Sequence, residues 1–191
     1  EKPSSIAVYS GTTTGLSTSS LIEDSLVNNS NSYQLVKYII TPYTRETGSE
    51  NEACTGINDT VLVYVEPTVT IDLNPVIDTL CNHSFTNILV ATTKLTTAGI
   101  KFDYQMIVPT GITVTTGNTT GLLPGSRIQD SIANITDTAK LVKFIILPYS
   151  LDDKGNKRCN GIRDTALVWI EPTAKVIATP AGDTLCNKQT T

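Results

Sequence analysis

Leu141-Val-Lys-Phe-Ile-Ile-Leu-Pro-Tyr149 restates, 106 residues further on, the earlier stretch Leu35-Val-Lys-Tyr-Ile-Ile-Thr-Pro-Tyr43. Working outward, Asp59-Thr-Val-Leu-Val-Tyr-Val-Glu-Pro-Thr68 recurs as Asp164-Thr-Ala-Leu-Val-Trp-Ile-Glu-Pro-Thr173, and Asp78-Thr-Leu-Cys-Asn82 as Asp183-Thr-Leu-Cys-Asn187. Upstream, Gly15-Leu16, Ile22, Asp24 and Leu26 match Gly121-Leu122, Ile128, Asp130 and Ile132. The offset is 105 or 106 throughout, one residue being lost in the loop after Tyr43. A period of that length exceeds one turn of a solenoid and equals a whole small sandwich domain. Cutting at the Glu-Pro junctions predicts one complete repeat over residues 67–171. Residues 1–66 are then the C-terminal part of an incomplete repeat, and residues 172–191 the first strand of a following one.

Within the complete repeat, Thr68–Leu73 alternates and predicts a first strand, ended by Asn74-Pro75. Phe85–Ala91 predicts a second strand. Ile100, Phe102, Tyr104 and Met106 share one face of a third, as in a half-buried strand. Thr110–Thr116 and Ser126–Ile132 are weaker strand candidates, and Leu141–Leu147 is a near-continuous apolar one. A polar loop, Ser150–Asn160, leads to a last strand with Ala166, Val168 and Ile170 on one face. Short strands with frequent turn residues and no helical periodicity predict an all-β fold: tandem immunoglobulin-like antiparallel β-sandwich repeats. The last strand runs through Glu171-Pro172 straight into the next repeat, which favours a stiff array over beads on a loose string.

Composition narrows the function classes. The net charge is −4 and charged residues are 17 % of the chain, so no nucleic-acid or anionic-membrane partner is expected. Ser and Thr make up roughly a quarter of the residues, which suits strands with hydroxylated outer faces. No apolar run is long enough to span a bilayer, so no membrane insertion is expected in this segment. Catalytic groupings are missing: the one His, His83, sits beside Cys81 in an apparent turn, and no Gly-rich phosphate loop opens a helix. Asp152-Asp153-Lys-Gly-Asn156 has calcium-like oxygens but lacks EF-hand spacing, and reads as a solvated hairpin. The expectation is no enzyme, no cofactor and no metal.

The four cysteines fall at two repeat-equivalent positions, Cys81 with Cys186 and Cys54 with Cys159. Zinc spacing is absent, and disulfide bonding in an oxidising compartment is the expected use. The first type opens the second strand and the second sits in the loop before the last. In an immunoglobulin-like topology these lie at opposite ends of a sandwich, so the expected bridges join neighbouring repeats. Tyr64 and Trp169 occupy equivalent positions on the last strand, and are expected to cover a sheet face or the domain junction.

Leu80-Cys81-Asn82, Phe102-Asp103-Tyr104, Phe144-Ile-Ile-Leu-Pro148, Cys159-Asn-Gly161 and Val168-Trp-Ile-Glu-Pro172 together resemble the PKD-like repeats of Bacteroidetes surface proteins exported by the type IX system. Two positions depart from that pattern: Asn82-His83 stands for the usual Ser-Gly, and Tyr104 for the commoner Trp. The resemblance implies a cell-surface adhesin or filament, of the kind that includes the giant gliding-motility adhesin, with repeats stacked end to end as a stalk. Its partners would be neighbouring repeats of the same chain, and surface glycans or other surface proteins. The alternative roles are a glycan- or protein-binding module acting through its loops, or an accessory region of a secreted hydrolase. The same resemblance implies O-glycosylation at Asp-Ser/Thr-aliphatic sites, here Ser25, Thr60, Thr79, Ser131, Thr138, Thr165 and Thr184. Turn chemistry at strand starts, with Asp bonding nearby backbone donors, would place the same residues there. Asn-x-Ser/Thr matches at Asn28, Asn58, Asn82, Asn118 and Asn134 carry little weight in an Asn- and Thr-rich chain.

Overall fold

A computed structural model describes residues 1–9, 11, 13–49, 51–177 and 182, and they are all β. Before the first Glu-Pro junction, β1 (Ile6–Tyr9) pairs antiparallel with β2 (Ser25–Asn28), and β3 (Gln34–Ile40) with β6 (Asp59–Val65). A short hairpin of β4 (Tyr43–Arg45) and β5 (Glu52–Thr55) lies between them in sequence. After the junction come β7 (Asp72–Asn74), β8 (Ile77–Leu80), β9 (Ser84–Phe85), β10 (Ile88–Ala91), β11 (Ile100–Ile107) and β12 (Ile112–Thr115). These are followed by β13 (Arg127–Ile128), β14 (Ser131–Asn134), β15 (Lys140–Leu151), β16 (Lys157–Asn160) and β17 (Asp164–Ile170).

The strands after Pro67 form an immunoglobulin-like sandwich. One layer runs β11-β15-β17-β8, with β16 attached to β15; β13-β10-β7 and β12-β14-β9 supply the other strands. Period-2 alternation decides which residues enter the core. Val142, Phe144 and Ile146 of β15, Ala166, Val168 and Ile170 of β17, and Ile100, Phe102 and Tyr104 of β11 are buried together. Leu73, Ile88, Val90, Ile112, Ile128 and Ile132 meet them from the smaller sheets. Each such apolar side chain contributes about 1.5–3 kcal/mol on burial.

Four features depart from the sequence expectation. The sandwich is not wholly antiparallel: β8 pairs parallel with β17, from Leu167 opposite Ile77 to Ile170 opposite Leu80. The cause lies at Pro75, which has no N–H to continue the ladder, so the chain leaves β7 and crosses to the other layer. The predicted first strand keeps its alternation, with Val69, Ile71 and Leu73 buried, yet only Asp72–Asn74 is in a ladder. The predicted strands Phe85–Ala91 and Ser126–Ile132 are each split in two. Both break where Thr86 faces Asp130: Thr86 N donates to Asp130 O at 2.9 Å, and Asp130 N to Thr86 Oγ1 at 2.8 Å. Finally, the flanks of the predicted loop Ser150–Asn160 are paired strand, since β15 continues to Leu151 and β16 returns beside it around the hairpin expected at Asp152–Asn156.

Candidate functional site: the junction at Glu66-Pro67

At this junction the chain passes from one set of strands to the next without a spacer. Pro67 and Val69 are buried, and Val69 O already accepts a hydrogen bond from Ile162 N at 2.9 Å. The loop between β10 and β11 reaches back across the boundary. Leu95 N donates to Asn31 O at 2.7 Å and Tyr33 N donates to Leu95 O at 2.9 Å, making a parallel bridge between Ser32 and Leu95. Lys94 Nζ donates to Asn31 Oδ1 at 2.7 Å. Thr97 N donates to Glu66 Oε1 at 3.1 Å, and the Thr97 hydroxyl donates to the same carboxylate. Each exposed contact of this kind contributes about 0.5–1.5 kcal/mol, and together they fix orientation more than they add stability.

The far side of the seat is shaped by an asparagine. Asn28 Nδ2 donates to Ser32 O and to Val65 O, both at 2.8 Å, and its Oδ1 accepts from Ser30 N at 2.9 Å. The turn carrying Asn31 and Tyr33 is thereby pinned to the end of β6. Asn134 repeats the arrangement at the other end of the sandwich, donating to Thr138 O at 2.8 Å and Ile170 O at 2.9 Å. There Asn82 adds a second tie, accepting from Asn134 N at 2.7 Å and donating to Asn134 O at 2.8 Å and Thr173 Oγ1 at 2.7 Å. Asn134 is 2 % exposed, so its Asn-x-Thr pattern is a turn with a fully used amide.

Tyr64 lies near this junction. It is 50 % exposed and meets Tyr33 edge-on, with centroids 6.1 Å apart and planes at 65°. Tyr33, Leu62, Val63 and Tyr64 line an open groove of about 560 Å³, together with Thr97 and Arg158. Trp169, the counterpart of Tyr64, is 41 % exposed and lies opposite Thr79 of β8.

Within the sandwich, Asp130 is a buried carboxylate that ties three segments. Tyr104 donates its hydroxyl to Oδ2 at 2.8 Å and Oδ1 at 3.0 Å, and Gly117 N donates to Oδ1 at 3.1 Å. Burial, then the Asp130 partner, pushes the Tyr104 phenol far above its ordinary value. Asp24 holds the same place in the first set of strands, accepting from Gly11 N at 3.2 Å. Its phenol comes instead from Tyr38 on β3, raised by burial and then by Asp24. The recurrence of Asp24 and Asp130 was visible in sequence; the burial of Asp130 was not. A second carboxylate, Asp103, accepts from Gly121 N at 2.9 Å, Lys157 Nζ at 3.0 Å and Tyr149 Oη at 3.1 Å. Burial alone would raise its pKa, but these donors outweigh it and hold the carboxyl below its ordinary value.

Cys54, Cys81 and Cys159 are exposed free thiols; Cys186 lies outside the described residues. Cys54 and Cys159 stand in β5 and β16 rather than in loops, and Cys81 is in the turn after β8, three residues before β9. Leu80 is level with Ile170 at one end of β17, whereas Cys159 precedes the other end. A seven-residue strand of about 20 Å separates the two positions, against the roughly 7 Å a disulfide spans.

Of the hydroxyls flagged for glycosylation, Ser25, Thr60, Thr79 and Thr138 are exposed, Ser131 and Thr165 are half-buried, and Thr184 lies outside the described residues. Thr60, Thr79 and Thr165 share one local geometry, each N–H donating to the preceding Asp Oδ1 at 2.7–2.8 Å. The bond is thus to the next residue, not two residues on. His83 is in the turn at φ 63°, apart from any cluster of metal-ligating type among the described residues. Asp152 spends its carboxylate on its own hairpin, accepting from Lys154 N at 3.0 Å and Asn156 N at 2.7 Å. Gly161 explains the Cys-x-Gly spacing: a Cβ there would strike Val69 O and come within 2.8 Å of Pro148.

No helix among the described residues is long and apolar enough to cross a membrane. No curated protein matches the chain in sequence. Among solved structures, the chain is similar to the S-layer protein SbsC domains 4 and 5, at 11 % identity and a TM-score of 0.31. That match covers 78 % of this chain and 62 % of the other. The profile of the family described as PKD-like domain matches residues 4–69, so the N-terminal third of the chain is PKD-like in sequence.

Proposed function

We propose that this chain is a non-catalytic section of a long extracellular stalk, in which PKD-like sandwiches stack end to end and hold a working tip away from the cell surface. On this reading residues 67–171 are one complete repeat, flanked by parts of two others. The observation that carries it is the clasp of Asn31, Tyr33 and Glu66 on Leu95 and Thr97, together with the repeat-equivalent seat, without its loop, at the opposite end of the sandwich. There Asp137 and Glu171 occupy the places of Asn31 and Glu66, beside the same asparagine-pinned turn. A unit with a loop at one end and a matching seat at the other can be added indefinitely.

The resemblance to exported Bacteroidetes adhesins makes the finer reading a type IX-secreted adhesin or gliding filament, O-glycosylated on exposed Asp-Thr and Asp-Ser sites. In such an array Cys54 and Cys159 face the repeat before, and Cys81 and Cys186 the repeat after. Electron microscopy of the parent protein tests the stalk: straight rods of uniform width are expected. Particles bent at random angles at each Glu-Pro would overturn it. Non-reduced peptide mapping of the same material tests the finer reading, through hexose on Thr79 or Thr60 peptides and Cys159 bridged to another repeat. Unmodified peptides and free thiols there would sink the exported, cross-linked version.

A further inference from the structure

β8 is the outer strand of its layer: one row of its main-chain groups serves β17, and among the described residues no strand pairs with the other row. Leu167 N donates to Val76 O at 2.8 Å, and Glu171 N donates to Leu80 O at 2.9 Å. Main-chain groups alternate along a strand, so Ile77 and Thr79 turn theirs outward. Val76 is 48 % and Ile77 64 % exposed, which makes this an apolar edge open to solvent. Such an edge is a template for a strand of another molecule. Its two ends are already closed. Pro75 has no N–H, and Cys81 O accepts from Ser84 N at 3.3 Å. Ile77 and Thr79 are the positions left open.

Asp78 stands between them, and its Oδ1 accepts from Thr79 N at 2.8 Å. β17 carries the same bond where β8 gives out. The parallel ladder starts with Leu167 opposite Ile77, so Thr165 lies past its end, and Thr165 N donates to Asp164 Oδ1 at 2.7 Å. Asp130-Ser131 supplies the contrast. Ser131 has β12 on one side and β9 on the other, and there the aspartate turns inward to the Tyr104 hydroxyl. The bond to the next N–H thus goes with a missing neighbour strand, not with the Asp-hydroxyl pair as such.

We propose that Asp78 guards this edge against a second copy of the chain, keeping β8 of one molecule from pairing with β8 of another. With both ends closed, the pairing that satisfies the edge is antiparallel, joining Ile77 of each copy to Thr79 of the other. That register sets Asp78 directly opposite Asp78. Side chains facing each other in such a pair are about 4.5–5.5 Å apart, and like charges there are destabilising. The pairing must also draw Thr79 N–H away from the carboxylate that already holds it, a charge-assisted bond. This goes beyond the stalk reading and holds for a lone sandwich. In a stalk it leaves each repeat with a guarded edge, so neighbouring stalks do not fuse strand to strand.

The test is sedimentation velocity of the 191-residue chain in reducing buffer, with wild type set against Asp78→Ala and Asp78→Asn. Asp78→Ala is expected to dimerise at concentrations at least about tenfold below any self-association of wild type, since juxtaposed like charges cost an interface more than that factor. Asp78→Asn keeps an acceptor for Thr79 N but carries no charge, and should fall between the two. Amide exchange read by NMR locates the contact: Ile77 and Thr79 should gain protection as the Asp78→Ala concentration rises. A folded Asp78→Ala chain that stays monomeric wherever wild type does overturns the proposal. So does association that leaves the Ile77 and Thr79 amides unprotected. A lowered urea midpoint without association marks Asp78 as a local strand-start bond alone, and overturns it too. Should Asp78→Ala not fold, Asp78→Asn decides by the same criteria. None of these outcomes bears on rod-shaped particles in the microscope, so the two readings fall separately.

Discussion

Removing the Asp130 carboxylate should cost the sandwich about 4 kcal/mol. The residue is 1 % exposed and accepts the Tyr104 hydroxyl and Gly117 N, so Asp130→Ala strands two donors, one of them deep in the core. A buried donor left without a partner costs about 1–3 kcal/mol, which sets the sum. Tyr104→Phe keeps the ring against Phe144, 6.0 Å away, and removes only the hydroxyl. The carboxylate then retains Gly117 N, so about 2 kcal/mol is expected. Asp130→Asn falls between, because its amide can accept one of the two donors but must point its own N–H₂ at the other. The two sites share one interaction, so the Tyr104→Phe, Asp130→Ala double variant should cost at least 1 kcal/mol less than the sum. Trp169, the chain's single tryptophan, lies on β17 of the same sandwich and reports unfolding in urea by fluorescence. A Tyr104→Phe variant within about 0.5 kcal/mol of wild type, or strict additivity of the pair, would refute the assignment of Asp130 as a structural tie.

Gly161→Ala is expected to destabilise the sandwich by about 3 kcal/mol, since its methyl meets the Val69 carbonyl and Pro148, neither the tip of a flexible side chain. Gly56→Ala, which meets Pro42 alone within 3 Å, should cost less in the same urea experiment. Asn134→Ala should cost about 2–3 kcal/mol by freeing the Thr138 and Ile170 carbonyls, and intact mass should show no glycan at Asn134 in a eukaryotic host. Asp103 has a lowered folded-state pKa, so its stabilising contribution is present above the unfolded value of about 3.9 and is lost as pH falls through the folded one. Asp103→Asn should therefore flatten the acid limb of the stability–pH curve below about pH 4, and an unchanged limb would contradict the geometry.

The fold class was legible because burial in a sandwich follows a two-residue period. Ile100, Phe102 and Tyr104, and again Ala166, Val168 and Ile170, declare their faces locally. The sequence also carries its own internal repeat, with matching core patterns at a spacing of 105 or 106 residues. What escaped was everything set by a partner distant in the chain. Ile77–Leu80 shows no strong alternation, and only the bare edge of β17 makes it a strand. Thr86 and Asp130 break two strands because they face each other across 44 residues. Asn28 and Asn134 match Asn-x-Ser/Thr, a pattern of little weight in this chain, and nothing in that pattern showed that their amides hold the turns after β2 and β14. Local periodicity thus determined which residues are inside. Hydrogen bonds between segments remote in sequence decided where strands stop, which strand pairs parallel and how the loop before β11 meets the turn after β2, because directional bonds depend on a neighbour that only the folded chain brings within about 3 Å.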